Sequence, residues 1–151
     1  MIEERIKELG LEVPEVAKPL AAYIPAKKVG NLVMTSGQVP VVKGEVKYKG
    51  KVGKELSEED GILAAQICAL NCLAAIKSVT GNLDNIIEVE KLTVFVASAP
   101  EFTAQPKVAN GASELIGKIF GEAGKHVRSA VGVSSLPLDA AVEIEMIVLV
   151  K

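Results

Sequence analysis

The sequence predicts an α+β domain, in which a mixed β-sheet carries two helices on one of its faces. Two segments, residues 62–79 and 108–120, carry apolar residues at helical spacing, and each is closed by a glycine. Segments rich in valine and isoleucine, residues 88–97 and 142–150, have the composition of strands. The 151 residues are enough to build one hydrophobic core.

A short amphipathic helix is predicted over residues 2–9, and an extended segment punctuated by prolines follows it. Three strands are then predicted over residues 23–28, 31–42 and 45–48, with a glycine turn joining the last two into a hairpin. Gly37 lies inside the second of these strands, where the missing side chain indicates a β-bulge or a close approach of another segment.

The two long helices have recognisable ends. Ser57 and Asp60 form an approximate capping box, so the first long helix begins at Ser57, and Gly81 closes it. The second long helix begins near Phe102 and ends at Gly121, and its apolar residues form a single stripe. Both helices can therefore bury one face against the sheet.

The predicted order of elements is β-β-β-α-β-α-β-β, with a strand over 88–97 between the helices and two strands flanking a Leu-Pro turn at residues 136–137. Two helices cover only one face of such a sheet. Residues 92–97 and 142–150 carry apolar side chains on both faces of their strands, so the bare face is also apolar. An apolar bare face predicts a homo-oligomer.

Composition and charge exclude several classes of function. The formal net charge is −2 and the pI is about 5.5, so no basic field exists that would attract nucleic acid. The N-terminus lacks the apolar core of a signal peptide, and the longest strongly apolar run, residues 146–150, is far too short to span a membrane. We therefore expect a soluble cytoplasmic protein.

Cys68 and Cys72 lie about one turn apart in the first long helix. Two cysteines and a single histidine do not complete a zinc site, so we interpret the cysteines as buried thiols and expect no metal. The sequence contains neither a phosphate-binding loop nor a dinucleotide-binding motif, and we expect no cofactor.

Arg128 is the strongest candidate for a ligand-binding residue. Strand alternation places it on one face with Ala130 and Gly132, which leave room around the guanidinium. A planar guanidinium suits bidentate binding of a carboxylate. The alternative is a structural ion pair with Glu143 or Glu145, and the residues alone favour that alternative.

Other polar residues in apolar surroundings are weaker candidates. Glu143 can hold a water or act as a base, but the residues alone favour a solvated edge or an arginine partner. Ser36 and Gly37 break an apolar strand, which indicates either backbone exposed to a ligand or a β-bulge. Tyr23 can cover a pocket or simply pack. His126 is paired with no nucleophile by any recognisable motif, so we interpret it as a polar start of a strand.

Two motifs resemble the signatures of the Rid (YjgF-type) family. Residues 30–40, Gly-Asn-Leu-Val-Met-Thr-Ser-Gly-Gln-Val-Pro, are similar to its N-terminal signature. Residues 128–137, Arg-Ser-Ala-Val-Gly-Val-Ser-Ser-Leu-Pro, followed by Val-Glu-Ile-Glu at 142–145, are similar to its C-terminal signature. The resemblance runs from Tyr23 to Lys151 and implies a chorismate-mutase-like fold. It also implies a homotrimer with a central barrel and three clefts between subunits.

The resemblance also implies an activity, because well-studied members hydrolyse reactive enamines and imines to 2-oxo acids and ammonia. By motif position, Arg128 is then expected to bind the substrate carboxylate, and Glu143 to position a water molecule. Tyr23 is expected to line the cleft, and Ser36 and Gly37 to lie near the pocket.

The chain departs from the family pattern at several positions. Ala130 stands where active members usually have cysteine, and His-Val at 126–127 stands where they usually have Pro-Ala. Asn110 is the candidate for an asparagine expected on the second long helix, where this chain carries an insertion. Residues 1–19 form an N-terminal extension of the Rid-like domain over 20–151. These departures indicate a divergent long branch of the family.

Three functions are compatible with this resemblance: an enamine/imine deaminase, a non-catalytic trimer that binds a small ligand or a protein partner, and an endoribonuclease. The acidic pI, the single histidine and the lack of a basic-aromatic surface argue against RNA cleavage. We expect a homotrimer that binds small carboxylates between its subunits and binds neither nucleic acid nor membranes.

Overall fold

The computed structural model describes residues 1–16 and 22–151 and confirms the α+β prediction. The helices are α1 (Ile2–Glu8), α2 (Glu58–Thr80) and α3 (Gln105–Phe120). The strands are β1 (Ala26–Val29), β2 (Leu32–Thr35), β3 (Val41–Val42), β4 (Glu45–Val46), β5 (Ile86–Ala97), β6 (Val127–Val133) and β7 (Val142–Val150). Short 3₁₀ turns follow α2 and α3 and precede β7.

Five of the strands form one mixed sheet in the order β1-β2-β7-β5-β6. All neighbours are antiparallel except β5 and β6, which run parallel because α3 crosses over between them. On β7 the residues that face the helices, from Val142 to Val150 in steps of two, are all buried. The sheet and the helices therefore share one hydrophobic core.

The predicted strand over residues 31–42 is wrong as a continuous element. β2 ends at Thr35, and Gln38 makes an isolated bridge with Ile144. Among the described strands, β3 pairs only with β4, in a separate two-stranded hairpin. The Asn71 side-chain amide on α2 donates to the carbonyls of Val39 and Val41, at 3.1 and 3.0 Å. This buried amide holds the chain along α2 between the two strands.

The ends of α2 confirm the capping prediction. The Ser57 hydroxyl accepts from the Asp60 N–H at 3.1 Å, and the Asp60 carboxylate accepts from the Ser57 N–H at 2.9 Å. Gly81 closes the helix in the left-handed conformation, with φ of +76°. By length and composition alone α2 is apolar enough to cross a membrane, yet 61% of its most apolar window is buried inside the protein, as in a core helix.

Two glycines let α2 and α3 pack closely. A Cβ atom on Gly111 of α3 would overlap the backbone carbonyl of Ile62 on α2. A Cβ atom on Gly61 of α2 would lie 3.1 Å from the side chain of Val108 on α3. The absence of both side chains sets the separation of the two helices.

The buried-thiol interpretation of the cysteines is confirmed. Cys68 and Cys72 are fully buried and contact the carbonyls of Val142 and Ile144, at 3.5 and 3.3 Å. Burial raises the pKa of the Cys72 thiol to about 12 and raises the pKa of Cys68 as well. In the described ranges, no three His, Cys, Asp or Glu side chains group as a metal site would require.

The N-terminal helix packs onto the domain. Ile6 is fully buried, the Ile2 N–H donates to Asp84 at 2.9 Å, and the Arg5 guanidinium donates to the Ile119 carbonyl at 2.7 Å. The predicted boundary between residues 19 and 20 lies outside the described residues, so the division of the chain at that point stays a prediction.

None of the described helices covers the second face of the sheet, and several large apolar side chains on it are exposed. Leu32 and Met34 on β2 are each 38% exposed, and Val127 and Val131 on β6 are 67% and 45% exposed. Glu143 and Glu145 of β7 lie on this face too, because they alternate with the buried residues of that strand. We refer to it as the open face.

Candidate functional site

Arg128 lies on the helix side of β6, at the edge of the sheet. Its Cα pairs with that of Leu92, which faces the core, so the arginine is directed toward α3 rather than into the open face. Its neighbours Val127 and Ser129 take the opposite side. The helix side of the edge strand is thus where the guanidinium meets other polar groups.

Three neutral oxygens hold the Arg128 guanidinium. Nη1 donates to the Asn110 side-chain oxygen at 2.9 Å and to the Ser113 hydroxyl at 3.1 Å. Nη2 donates to the Pro106 carbonyl at 3.4 Å. Among the described residues no carboxylate forms a salt bridge with Arg128, and Glu143 and Glu145 lie on the other sheet face. A structural ion pair within one chain, which the residues alone favoured, is therefore wrong.

The arginine retains hydrogen-bonding capacity for a ligand. A guanidinium has five N–H donors, and those of Nη1 are both used. Within the part of the chain that the structure describes, the Nε donor and one donor of Nη2 have no acceptor. Two donors on one planar cation are what a carboxylate requires for bidentate binding.

Ser113 and His126 extend this network. His126 Nδ1 lies 2.7 Å from the Gly124 carbonyl, an oxygen that can only accept, so Nδ1 carries the proton. In the neutral ring Nε2 then accepts from the Ser113 hydroxyl at 2.9 Å. No sequence motif pairs His126 with a partner, and none points to Ser113. Ser113 follows Asn110 by one helical turn, which places both side chains on the same face of α3.

A surface cavity of about 420 Å³ lies beside this network, between the C-terminal half of α3 and the start of β6. One wall comes from α3 and the turn after it, and the other from the segment leading into β6. The lining residues are Ser113, Gly117, Gly121, Gly124, Lys125, His126 and Arg128. The guanidinium thus borders a space large enough for a small molecule.

A second group of candidate residues surrounds Glu143 on the open face. Glu143 is half-buried, and a Cβ atom on Gly37 would lie 2.8 Å from its carboxyl carbon. Gly37 therefore permits a close approach of the Glu143 side chain, which agrees with one of the two alternatives left open by the sequence. The Ser36 hydroxyl donates to the Ile24 carbonyl at 2.6 Å, and the adjacent Tyr23 side chain is 55% exposed.

Burial raises the pKa of the Glu143 carboxyl, and the charge of Glu145 on the same face raises it further. A carboxyl with a raised pKa is a better proton acceptor once ionised and is closer to the pH at which general bases work well. Glu143 therefore has the electrostatic environment of a candidate base.

We expect the Glu145→Gln substitution to lower the pKa of Glu143, because it removes the charge of Glu145, the smaller of the two causes that raise this pKa. Burial remains, so the pKa should stay above its ordinary value. Carbon-detected NMR titration of the Glu143 carboxyl would measure the change. Glu122→Gln, on a distant turn, serves as the control and should leave the titration unaltered. A Glu143 pKa that rises or stays constant in Glu145→Gln would contradict this cause.

The candidate residues thus form two groups within one chain. Arg128, Asn110 and the partly buried Ala130 lie on the helix side of the sheet edge, and Ala130 pairs with the core residue Val94. Glu143 lies with Ser36 and Gly37 on the open face. Strand alternation predicted the side chains that share a face on each strand, but it did not relate the faces of β6 and β7.

Comparison with known proteins identifies the chain's relatives. Residues 3–149 match the family model described as "YjgF/chorismate_mutase-like, putative endoribonuclease". Protein TCP17 of Trypanosoma cruzi is 41% identical over 150 residues, which cover 97% of this chain and 92% of that protein. A solved structure of a protein of unknown function from Agrobacterium tumefaciens has a TM-score of 0.93 and 45% identity, covering 99% of this chain and 92% of that chain.

A further relative has a named activity. The 2-iminobutanoate/2-iminopropanoate deaminase of Dermatophagoides farinae is 28% identical over 141 residues, which cover 93% of this chain and 95% of that protein. The match spans nearly all of both proteins.

Proposed function

This chain belongs to the YjgF-type (Rid) family, and on that premise we propose that it binds small carboxylates at Arg128 and hydrolyses enamines or imines to 2-oxo acids and ammonia. One observation carries the proposal: the Arg128 guanidinium borders a cavity and, among the described residues, is held only by neutral oxygens and keeps two donors for a ligand. A similar imine deaminase among the relatives supports the reaction type.

The chemistry needs little machinery, because an imine carbon is already electrophilic. Arg128 holds the carboxylate and so fixes the position of the neighbouring C=N carbon. Glu143 accepts a proton from a water molecule as the water oxygen bonds to that carbon. The C=N electrons pass to the nitrogen, which takes a proton from solvent and becomes an amine. Glu143 then returns its proton to this amine, the hydroxyl loses its proton to solvent as the C=O bond forms, and the C–N bond breaks to release ammonia and a 2-oxo acid. An enamine first takes a proton from solvent on its carbon and so becomes the imine.

We propose that the chain is a homotrimer in which the open face is buried. Arg128 and Glu143 lie on opposite faces of the sheet of one chain, so a cleft that uses both is built most simply from two subunits. Arg128 and Asn110 of one subunit then face Glu143, Ser36 and Gly37 of the next. The exposed apolar residues of the open face support such an assembly.

Light scattering tests the assembly. The wild-type protein is expected to have three times the 15.9 kDa mass of the chain. Val131→Asp introduces a charge in the open face and is expected to yield monomers. Val79→Asp is the matched control, since Val79 is 38% exposed but lies near the end of α2, away from that face. A stable wild-type monomer at micromolar concentration would refute the trimer.

Calorimetric titration with pyruvate tests the binding site. Arg128→Ala is expected to abolish binding while leaving the melting temperature nearly unchanged, because the arginine is only partly buried and has no ion pair within the described ranges. Arg128→Lys keeps the charge but loses the planar fork, so it should bind weakly. A large fall in melting temperature with unchanged pyruvate binding would instead show that Arg128 is structural.

A non-catalytic carboxylate-binding trimer is the second candidate function. It is favoured by Ala130, which offers no functional group beside Arg128 where active relatives usually have cysteine. Coupling a serine or threonine dehydratase to 2-oxo acid formation separates the two functions. If the wild-type protein does not accelerate 2-oxo acid release above the uncatalysed rate, the binding function replaces the deaminase.

A further inference from the structure

Gly117 is an exposed glycine near the C-terminal end of α3, and packing within the fold does not require a glycine at this position. A Cβ atom there would meet nothing within 4 Å, whereas one on Gly111 of the same helix would overlap a backbone carbonyl. Glycine inside a helix is less stable than alanine by about 0.5–1 kcal/mol. Packing within the chain accounts for Gly111 but not for Gly117.

The position of Gly117 in the wall of the cavity offers a reason why this residue is a glycine. Asn110, Ser113 and Gly117 follow one another at helical spacing on one face of α3, so the cavity extends from Arg128 along the helix past Ser113 to Gly117. A larger side chain at residue 117 would project into this space. The cavity of about 420 Å³ falls in the range of about 300–1,000 Å³ typical of pockets for ligands far larger than a three-carbon acid.

The polar groups around this part of the cavity already satisfy one another. Both ring nitrogens of His126 are engaged, by Gly124 and by Ser113. Lys125 is paired with Glu122 at 3.0 Å. Among the described residues that line the cavity, the only cation besides Arg128 is Lys125, which is 75% exposed and screened by water, so a second anionic group on a ligand would gain little from it. An uncharged group would leave no hydrogen bond broken.

From this geometry we propose that the cavity accepts the side chain of the ligand whose carboxylate binds Arg128. The preferred ligands are 2-oxo or 2-imino acids with a bulky uncharged side chain. Gly117 sets the size of side chain that the cavity permits. This inference rests on the proposed carboxylate site. It adds to that site a selectivity among substrates by the size and charge of their side chains.

Gly117→Leu is the direct test, measured by calorimetric titration with pyruvate, phenylpyruvate and 2-oxoglutarate. The wild-type protein is expected to bind phenylpyruvate more tightly than the other two acids. The leucine should weaken phenylpyruvate binding about tenfold or more and leave pyruvate within about twofold, because only the bulky side chain reaches residue 117. The variant should fold, since open space surrounds this position.

Lys118→Leu is the matched control, because Lys118 is an exposed neighbour on α3 that does not line the cavity. It should leave binding of all three acids unchanged. The inference is overturned if Gly117→Leu leaves phenylpyruvate binding intact, or if it weakens pyruvate and phenylpyruvate equally. Loss of binding in Arg128→Ala would then still support the carboxylate site. If the wild-type protein binds none of the three acids, the carboxylate site itself is refuted.

Discussion

Replacing Glu143 with glutamine is expected to lower the rate of enamine hydrolysis by about 10²–10⁴-fold, the usual effect of losing a positioned base. Glutamine keeps the size of the side chain but cannot accept a proton from water. The dehydratase-coupled assay of 2-oxo acid formation measures the effect. Glu145→Gln, two residues along the same strand and face, is the matched control and should retain most of the activity. Equal rates in Glu143→Gln and the wild type would exclude Glu143 as the base.

A mixing experiment shows whether the cleft combines two subunits. Arg128→Ala and Glu143→Gln are each expected to be inactive, and refolding them together at equal concentration produces mixed trimers. If one subunit supplies Arg128 and the next supplies Glu143, each mixed trimer has one intact cleft, and about a quarter of the wild-type rate returns. If both residues come from the same chain, no cleft is intact and no activity returns.

Gly111→Ala is expected to destabilise the fold by about 2–3 kcal/mol, because the new methyl group would overlap the Ile62 carbonyl and push α2 from α3. Backbone atoms give way less easily than the end of a flexible side chain. For a chain of this length the melting temperature should fall by roughly 5–10 °C. Calorimetric or circular-dichroism melts at one fixed protein concentration would measure it.

Gly117→Ala is the control for that prediction, since it makes the same change in the same helix where nothing lies within 4 Å. It should stabilise the protein by about 0.5–1 kcal/mol through the better helix propensity of alanine. If the two alanine variants melt at the same temperature, the contact at Gly111 does not limit how closely α2 and α3 pack.

Features that depend on neighbouring residues were predictable from the sequence. The capping box at Ser57, the left-handed glycine at residue 81 and the apolar stripe of α3 each arise within a few residues. The interruption of the strand predicted over 31–42 was not predictable, because it depends on Asn71, about thirty residues further along the chain. No local pattern records that contact.

The same distinction applies to the candidate site. Alternation along β6 correctly placed Arg128 and Ala130 together, and a close approach at Gly37 was one of the two alternatives that the sequence left open. Ser113 was missed because its role depends on how α3 lies over β6. The opposite orientation of Arg128 and Glu143 was missed because it depends on the register of three strands. The alternation of side chains within one strand does not show which residues of the neighbouring strand lie on the same face.

The place of β7 in the sheet has a consequence for synthesis. The last strand of the chain lies between β2 and β5, pairing Leu149 with Leu32 and Met146 with Leu92. While the chain emerges from the ribosome, the early hairpin and the later β5–β6 pair have no strand to join them, and two strand edges stay unpaired until residues 142–150 appear. The sheet therefore cannot close until β7 has been synthesised, and until then its unpaired strand edges expose the nascent chain to aggregation.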